Sequence, residues 1–149
     1  MKKVIFEYNI PINNIIQDKA NFDVANLDYD GLKGIMNGCI FIFFEPQRNY
    51  IILQTGIFDY LKQLLAVIKE IDGGNYSPFS VSCDWYSNSL DFSYKETLDE
   101  LSIRDVNTAH FNITTKYAVF KKSFVKFYNK TMDELVLYYP ELLKNQNFK

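Results

Sequence analysis

Histidine and cysteine, the side chains most often used for proton transfer and covalent catalysis, are scarce in this chain. His110 is the only histidine, and Cys39 and Cys83 are the only cysteines. No G-x-S-x-G segment frames a serine nucleophile beside His110, and both cysteines lie in apolar stretches that disfavour a reactive thiolate. Without a C-x-x-C pair, these three residues also fall short of a metal ligand set. We therefore expect no catalytic residue, no metal ion, no cofactor and two reduced, buried cysteines.

Carboxylates are the remaining candidates for acid–base chemistry. They form three groups along the chain: Asp28 with Asp30, Asp84 with Asp91, and Glu96 with Asp99 and Glu100. The first group lacks the spacing of a calcium-binding loop, so it predicts a turn. Glycine-rich phosphate-binding loops are also absent from the sequence. A small hydrolase or ligand-binding domain that uses carboxylates in a cleft at the sheet edge, near His110, is therefore one alternative function.

Length and composition indicate one globular domain spanning residues 1–149. Hydrophobic residues make up 48% of the chain and aromatic residues 17%, which excludes a disordered protein. No apolar run approaches the length of about 20 residues that a membrane-spanning helix needs. The N-terminus lacks the cleavage site of a signal peptide, so we expect a cytoplasmic protein. A net charge of −2 and only two arginines, Arg48 and Arg104, make nucleic acid an unlikely partner.

The first half of the chain predicts strands and one helix. Alternating apolar residues predict a strand from Lys3 to Ile10, whereas the polar stretch from Asn13 to Asp30 predicts a loop with one helical turn. Asn37-Gly38 suits a type I′ turn that joins Leu32–Met36 to Cys39–Glu45. The strand Cys39–Glu45 is apolar on both faces and is expected in mid-sheet. A further strand, Tyr50–Gln54, precedes a helix whose apolar stripe comprises Ile57, Leu61, Leu64, Ile68 and Ile71.

The second half predicts a hairpin, two short strands and an aromatic-rich terminal helix. The short strands are Leu101–Ile103 and Phe111–Ile113, and helical periodicity returns over Lys116–Asn129. Thr131–Glu134 matches a capping box, so we expect a helix break there and a second helix to about Tyr139. Lys122, Lys126 and Lys130 should form a solvated basic face. The predicted fold class is α+β: a mostly antiparallel meander sheet with one mid-chain helix and a C-terminal helix, or helix pair, packed on it.

The hairpin Phe79–Lys95 supplies the predicted partner-binding surface. A two-residue loop at Asn88-Ser89 would place Trp85 opposite Phe92 and Tyr86 opposite Asp91, and it would leave the carboxylates on the polar face. Charge complementarity would then suit a basic protein partner, and a tyrosine would supply rigid contact area. The candidate contact residues are Asp84, Tyr86 and Asp91, with a rim of Asp99, Glu100 and Asp105.

The order of these elements resembles the small, acidic immunity proteins of bacterial polymorphic-toxin systems. The resemblance lies in the layout: strands, the helix Phe58–Ile71, the hairpin Val81–Tyr94, a short strand pair and the helix Lys116–Asn129. It implies a non-enzymatic inhibitor that binds and occludes one cognate toxin, and no motif carries a functional residue across. A second alternative is a homo-oligomeric structural module in which the aromatic-rich terminal helix pairs with its own copy.

Overall fold

The computed structural model describes residues 3–45, 49–83, 86–105 and 112–148, without the side chains of residues 49, 82, 83, 86–89 and 105. Within these ranges the strands are β1 (Lys3–Asn9), β2 (Asn37–Glu45), β3 (Asn49–Gly56), β4 (Phe79–Cys83), β5 (Tyr86–Lys95), β6 (Glu100–Asp105) and β7 (Asn112–Lys116). The α-helices are α1 (Ile12–Asn21), α2 (Tyr29–Gly34), α3 (Ile57–Asp72) and α4 (Tyr117–Tyr138). Three 3₁₀ segments complete the described structure: Val24–Asn26, Glu96–Leu98 and Pro140–Lys144.

The strands form two antiparallel meander sheets, so the predicted α+β class is confirmed. One sheet has the order β1-β2-β3, and the other has the order β4-β5-β6-β7. The apolar strand β2 lies in the middle of its sheet, as predicted, because both of its edges are paired. Among the described helices, none is long and apolar enough to cross a membrane.

The core lies between the two long helices and the inner faces of the sheets. All five residues of the predicted α3 stripe are buried. The Phe6 ring of β1 packs on α4, with its centroid 5.4 Å from that of Phe120 and 5.3 Å from that of Phe127. The aromatic stripe of α4 therefore packs against β1 within the molecule, and it is not exposed for pairing with the same helix of a second copy.

The prediction of a loop from Asn13 to Asp30 was wrong, since most of this stretch is helical. Helix α1 occupies residues 12–21, and Asp28 caps α2 by accepting the Gly31 N–H at 2.7 Å. Asp18, buried on α1, accepts hydrogen bonds from the Met36 N–H at 3.0 Å and the Tyr139 hydroxyl at 2.6 Å. The partners of Asp18 are distant in sequence, so its fold-stabilising role was not visible in local propensity.

The Asn37-Gly38 turn was also predicted wrongly. Both residues belong to β2, and residues 29–34 form α2 instead of a strand. Met36 adopts the left-handed conformation, with φ of 61°, at the entry to β2. A Cβ atom on Gly38 would overlap the carbonyl oxygen of Asn9 on β1. Glycine is therefore required at position 38 for close backbone approach and not for a positive φ.

The hairpin exists, but its register differs from the predicted one. Phe92 pairs with Phe79 instead of Trp85, and Asn88-Ser89 lie within β5 instead of forming a loop. The observed register places Val81 opposite Leu90, both buried on the core face, which accounts for its stability. The shift moves the partner of Phe92 by an even number of residues, so Phe92 still faces inward and Asp91 still faces outward.

Helix α4 runs without a break through the predicted capping box. Thr131 is fully buried within the helix, and its hydroxyl has no hydrogen-bond partner among the residues that the structure describes. Its side chain therefore does not cap a helix N-terminus. After Tyr139 the chain continues in the 3₁₀ segment Pro140–Lys144. Lys122, Lys126 and Lys130 are exposed, as predicted.

Replacing Thr131 with valine should raise the free energy of unfolding by about 1 kcal/mol, because an unsatisfied buried hydroxyl is removed at nearly constant volume. If Thr131 capped a helix N-terminus, the same substitution would instead lower the free energy of unfolding by about 1 kcal/mol. Urea denaturation distinguishes the two signs. Thr114→Val is the matched control and should be destabilising, because the Thr114 hydroxyl lies 3.3 Å from that of Ser102. A destabilised Thr131→Val variant would contradict this interpretation.

Candidate docking surfaces

Asp91, one of the predicted contact residues, is held in a local polar network on β5. Its carboxylate accepts hydrogen bonds from the Ser80 hydroxyl at 2.5 Å and from the Arg104 guanidinium at 3.1 Å. The Ser80 hydrogen bond, together with the positive Arg104, keeps the pKa of Asp91 below its ordinary value despite partial desolvation. A carboxylate engaged in this way is less available to a basic partner.

Asp99 and Glu100 lie near each other at one end of the four-stranded sheet. The Asp99 carboxylate accepts the Tyr94 hydroxyl at 3.0 Å and the Ala118 N–H at 3.3 Å, so it anchors the start of α4. Glu100 stands between Lys95 and Lys116 in the strand ladder. These two lysines offset the negative charge of Glu100.

The structure therefore does not bring the described acidic residues into one patch. Asp91 and Glu100 lie on neighbouring strands, and Lys95, the partner of Glu100, is about 13 Å along β5 from Asp91. Asp84 and His110 lie outside the described residues, as do the side chains of Tyr86 and Asp105. Tyr86 pairs with Cys83 and not with Asp91, which corrects the predicted cross-strand neighbour. A partner-binding role for this acidic set stays a prediction.

A contiguous apolar surface covers the solvent side of the three-stranded sheet. We call it the open face, and its large side chains are Ile5, Phe41, Phe43, Tyr50 and Ile52. Ile5, Phe43 and Tyr50 lie in one cross-strand row. The ring centroids of Phe41 and Phe43 are 6.5 Å apart, and those of Phe43 and Tyr50 are 6.3 Å apart. Tyr50 is 59% exposed and Ile52 49% exposed.

The sequence contained a signal for the open face, but it was interpreted as burial on both sides. Alternate residues of β2, such as Ile40 and Ile42, are fully buried against the helices. Phe41 and Phe43, which point the other way, are only half-buried. Contiguous exposed apolar patches rimmed by polar residues are typical of protein interaction sites, and Glu7, next to Phe41, is one such rim residue.

A groove of about 930 Å³ lies along the outer edge of β1, between this strand and α4. We call it the β1–α4 groove. The floor of the groove includes the buried residues Phe6, Phe127 and Thr131. Its remaining lining residues are Lys3, Val4, Ile5, Glu7, Tyr8, Asn9, Ile10, Ile12, Ile15, Ser123, Lys126, Lys130, Glu134, Leu137 and Tyr138. Sequence reasoning missed this groove because its two walls are distant in the chain.

The two described carboxylates that line the groove, Glu7 and Glu134, have different surroundings. Glu134 accepts the Tyr8 hydroxyl at 3.0 Å, whereas Glu7 belongs to the opposite face of β1. Burial, followed by the hydrogen bond to Glu134, raises the pKa of Tyr8 and keeps its hydroxyl a donor. Within the described ranges, no group of three or more histidine, cysteine or acidic residues is arranged to hold a metal ion.

Comparisons of the chain with protein-family models, with curated proteins and with solved structures found no match.

Proposed function

We propose that this chain is a non-enzymatic binding protein and that the open face is the surface with which it binds another protein. The observation that supports this is the row of large apolar side chains on the solvent side of β1, β2 and β3. Burial of such side chains against a partner contributes about 1.5–3 kcal/mol each. Tyrosine and other aromatic residues are also enriched where interfaces concentrate their binding energy.

The size of the open face fits the apolar centre of an interface. Three strands about 4.8 Å apart, with seven to nine residues each and therefore about 23–30 Å long, present roughly 400 Å². A stable complex buries about 800 Å² on each partner. The polar rim, which includes Lys3, Glu7 and Glu45, would therefore also contact the partner and set its orientation.

We further propose that the partner is a toxin and that this chain neutralises it by covering its working surface. The support for this finer statement is the resemblance of the element order to immunity proteins. Occlusion needs only a rigid, complementary surface and no catalytic group on the inhibitor, which agrees with the arrangement of the groove carboxylates.

The open face is tested by replacing both Tyr50 and Ile52 with serine. The partner is first identified by affinity capture from the source organism and then purified. Calorimetry then measures the dissociation constant of its complex with this chain. We expect the double variant to bind about 100-fold more weakly, since two buried side chains contribute roughly 3 kcal/mol and each 1.4 kcal/mol is a factor of ten. Leu143→Ser is the control, because Leu143 is 75% exposed but lies outside the face.

Three outcomes decide the proposal. A selective loss of affinity in the double variant supports it, and unchanged affinity overturns it. A wild-type homodimer that becomes monomeric only in the double variant would assign the open face to a second copy instead. The finer statement fails if co-expression of the chain does not restore growth of cells that produce the captured partner.

A further inference from the structure

Strand β1 is an edge strand whose outer side faces the groove. Among the described residues it pairs only with β2. The backbone N–H and C=O groups along the outer side of an edge strand are a template for one further strand. Proteins use such edges to bind extended peptide segments, in which main-chain hydrogen bonds give affinity and alternate side chains give specificity.

The two walls of the groove run in the same direction and match in length. Phe6 contacts Phe120, Phe124 and Phe127 on α4, whereas Tyr8, further along β1, contacts Phe127 and Glu134. The seven residues of β1 span about 23 Å. The stretch of α4 from Ser123 to Tyr138, which lines the groove, spans about 22 Å. An added strand of about seven residues would therefore run beside all of β1 and lie over this stretch of α4.

Charge distinguishes one end of the groove from the other. Lys126 and Lys130 are exposed on the helix wall, and none of the ion pairs among the described residues involves either of them. Glu134, the acid that lines the groove further along this wall, is already bonded to Tyr8. At the far end, Ile12 is 73% exposed and Leu137 is 77% exposed.

We propose that the β1–α4 groove binds an extended segment of a partner protein, which adds to β1 as a fourth strand and places two acidic side chains against Lys126 and Lys130. Side chains two positions apart on a strand point the same way and are about 6.7 Å apart. Lys126 and Lys130, four positions apart on a helix, are separated by about 6 Å along its axis. Two carboxylates on one face of the segment therefore match the two ammonium groups.

The apolar end of the groove determines which side chain is preferred at the second end of the bound segment. A large apolar side chain of the bound segment would cover Ile12 and Leu137, which otherwise stand in water. The bound segment is therefore expected to carry acidic residues at one end and an aliphatic or aromatic residue at the other. This inference rests on the proposed role as a protein-binding chain, but it uses atoms separate from Tyr50 and Ile52 of the open face.

The test uses a capped, fluorescein-labelled nine-residue peptide that alternates glutamate with valine in its first half and ends in threonine, valine and leucine. Fluorescence anisotropy measures its affinity for the full chain, and amide shifts in NMR spectra locate it. We expect saturable binding with shifts along β1. The same peptide with lysine at each glutamate position should bind at least tenfold more weakly. A peptide with a central proline, which lacks one main-chain donor, should also lose at least tenfold in affinity.

Matched variants of the helix wall complete the test. Lys126→Glu with Lys130→Glu should weaken binding of the acidic peptide about tenfold. Lys122→Glu with Lys69→Glu makes the same charge change at two exposed lysines outside the groove lining and outside the ion pairs of the described residues, so it should leave the peptide's affinity within twofold. Three results would overturn the proposal. They are equal affinity for the acidic and basic peptides, equal losses of peptide affinity in the two pairs of variants, and amide shifts confined to the open face. A homodimer that blocks peptide binding and dissociates in the Lys126/Lys130 variant would overturn it by assigning the groove to a second copy.

The peptide experiment and the open-face experiment fail independently. If the peptide does not bind but the captured partner still loses affinity in the Tyr50/Ile52 variant, the proposed function stands and the groove inference falls. If the peptide binds as expected and the captured partner is insensitive to the Tyr50/Ile52 change, the open face is refuted while the groove is retained.

Discussion

Replacing Asp18 with alanine is expected to lower the free energy of unfolding by about 4 kcal/mol, because two buried donors lose their acceptor at once. These donors are the Met36 N–H at 3.0 Å and the Tyr139 hydroxyl at 2.6 Å. Burial, followed by the hydrogen bond to Asp18, raises the pKa of Tyr139, so its hydroxyl remains a donor through the neutral range. Asp18 thereby ties α1 to the start of β2 and to the end of the chain after α4. The loss is measured by urea denaturation.

Two further variants make the Asp18 result specific. Tyr139→Phe removes only one of the two hydrogen bonds to the carboxylate and should cost about 2 kcal/mol. Asp30→Ala is the control, since the Asp30 side chain is 89% exposed and should contribute within about 0.5 kcal/mol. If Asp18→Ala costs no more than Asp30→Ala, the buried network does not stabilise the fold in the way described.

Replacing Gly38 with alanine is expected to cost about 3 kcal/mol, the upper part of the range for forced overpacking. The new Cβ would overlap the Asn9 carbonyl oxygen, which is backbone and can move only by displacing the end of β1 from β2. Thermal and urea unfolding measure the loss, and NMR should show the largest shifts in the β1 amides. Gly34→Ala is the matched control, because nothing lies within 4 Å of its added Cβ, and helix propensity should make it neutral or stabilising by up to about 1 kcal/mol.

Asparagine at position 38 separates close approach from turn geometry. A type I′ turn accepts asparagine at a positive φ with little loss. A close-approach site rejects it as it rejects alanine, because both residues carry a Cβ. A Gly38→Asn variant as stable as the wild type would contradict the backbone contact and favour the turn.

The periodicity of apolar residues was sufficient where one element buries one face against the core. The α3 stripe from Ile57 to Ile71 and the outward direction of Asp91 followed from periods of 3.6 and 2.0. Each of these features depends on which side of its own element a residue occupies. Local spacing records that information directly.

Features that depend on a distant partner were missed or misplaced. Asp18 belongs to a helix that is held by Met36 and Tyr139, and no local pattern indicated either contact. The hairpin register was misplaced because several alignments keep the same residues on the same faces, and local alternation does not distinguish the observed pairing of Val81 with Leu90 from the others. The capping box at Thr131 matched a motif of four residues, but the packing of α4 against β1 keeps the helix continuous through it.

The sequence by itself determined the α+β class and the buried stripe of α3, because these follow from residue type and local period. Only the tertiary structure decided which apolar face stays open and which strand edge stays unpaired. Both candidate surfaces arise where the described part of the chain leaves an apolar face or a strand edge uncovered. A local pattern records how apolar a face is, whereas its exposure depends on where the distant helices α3 and α4 pack.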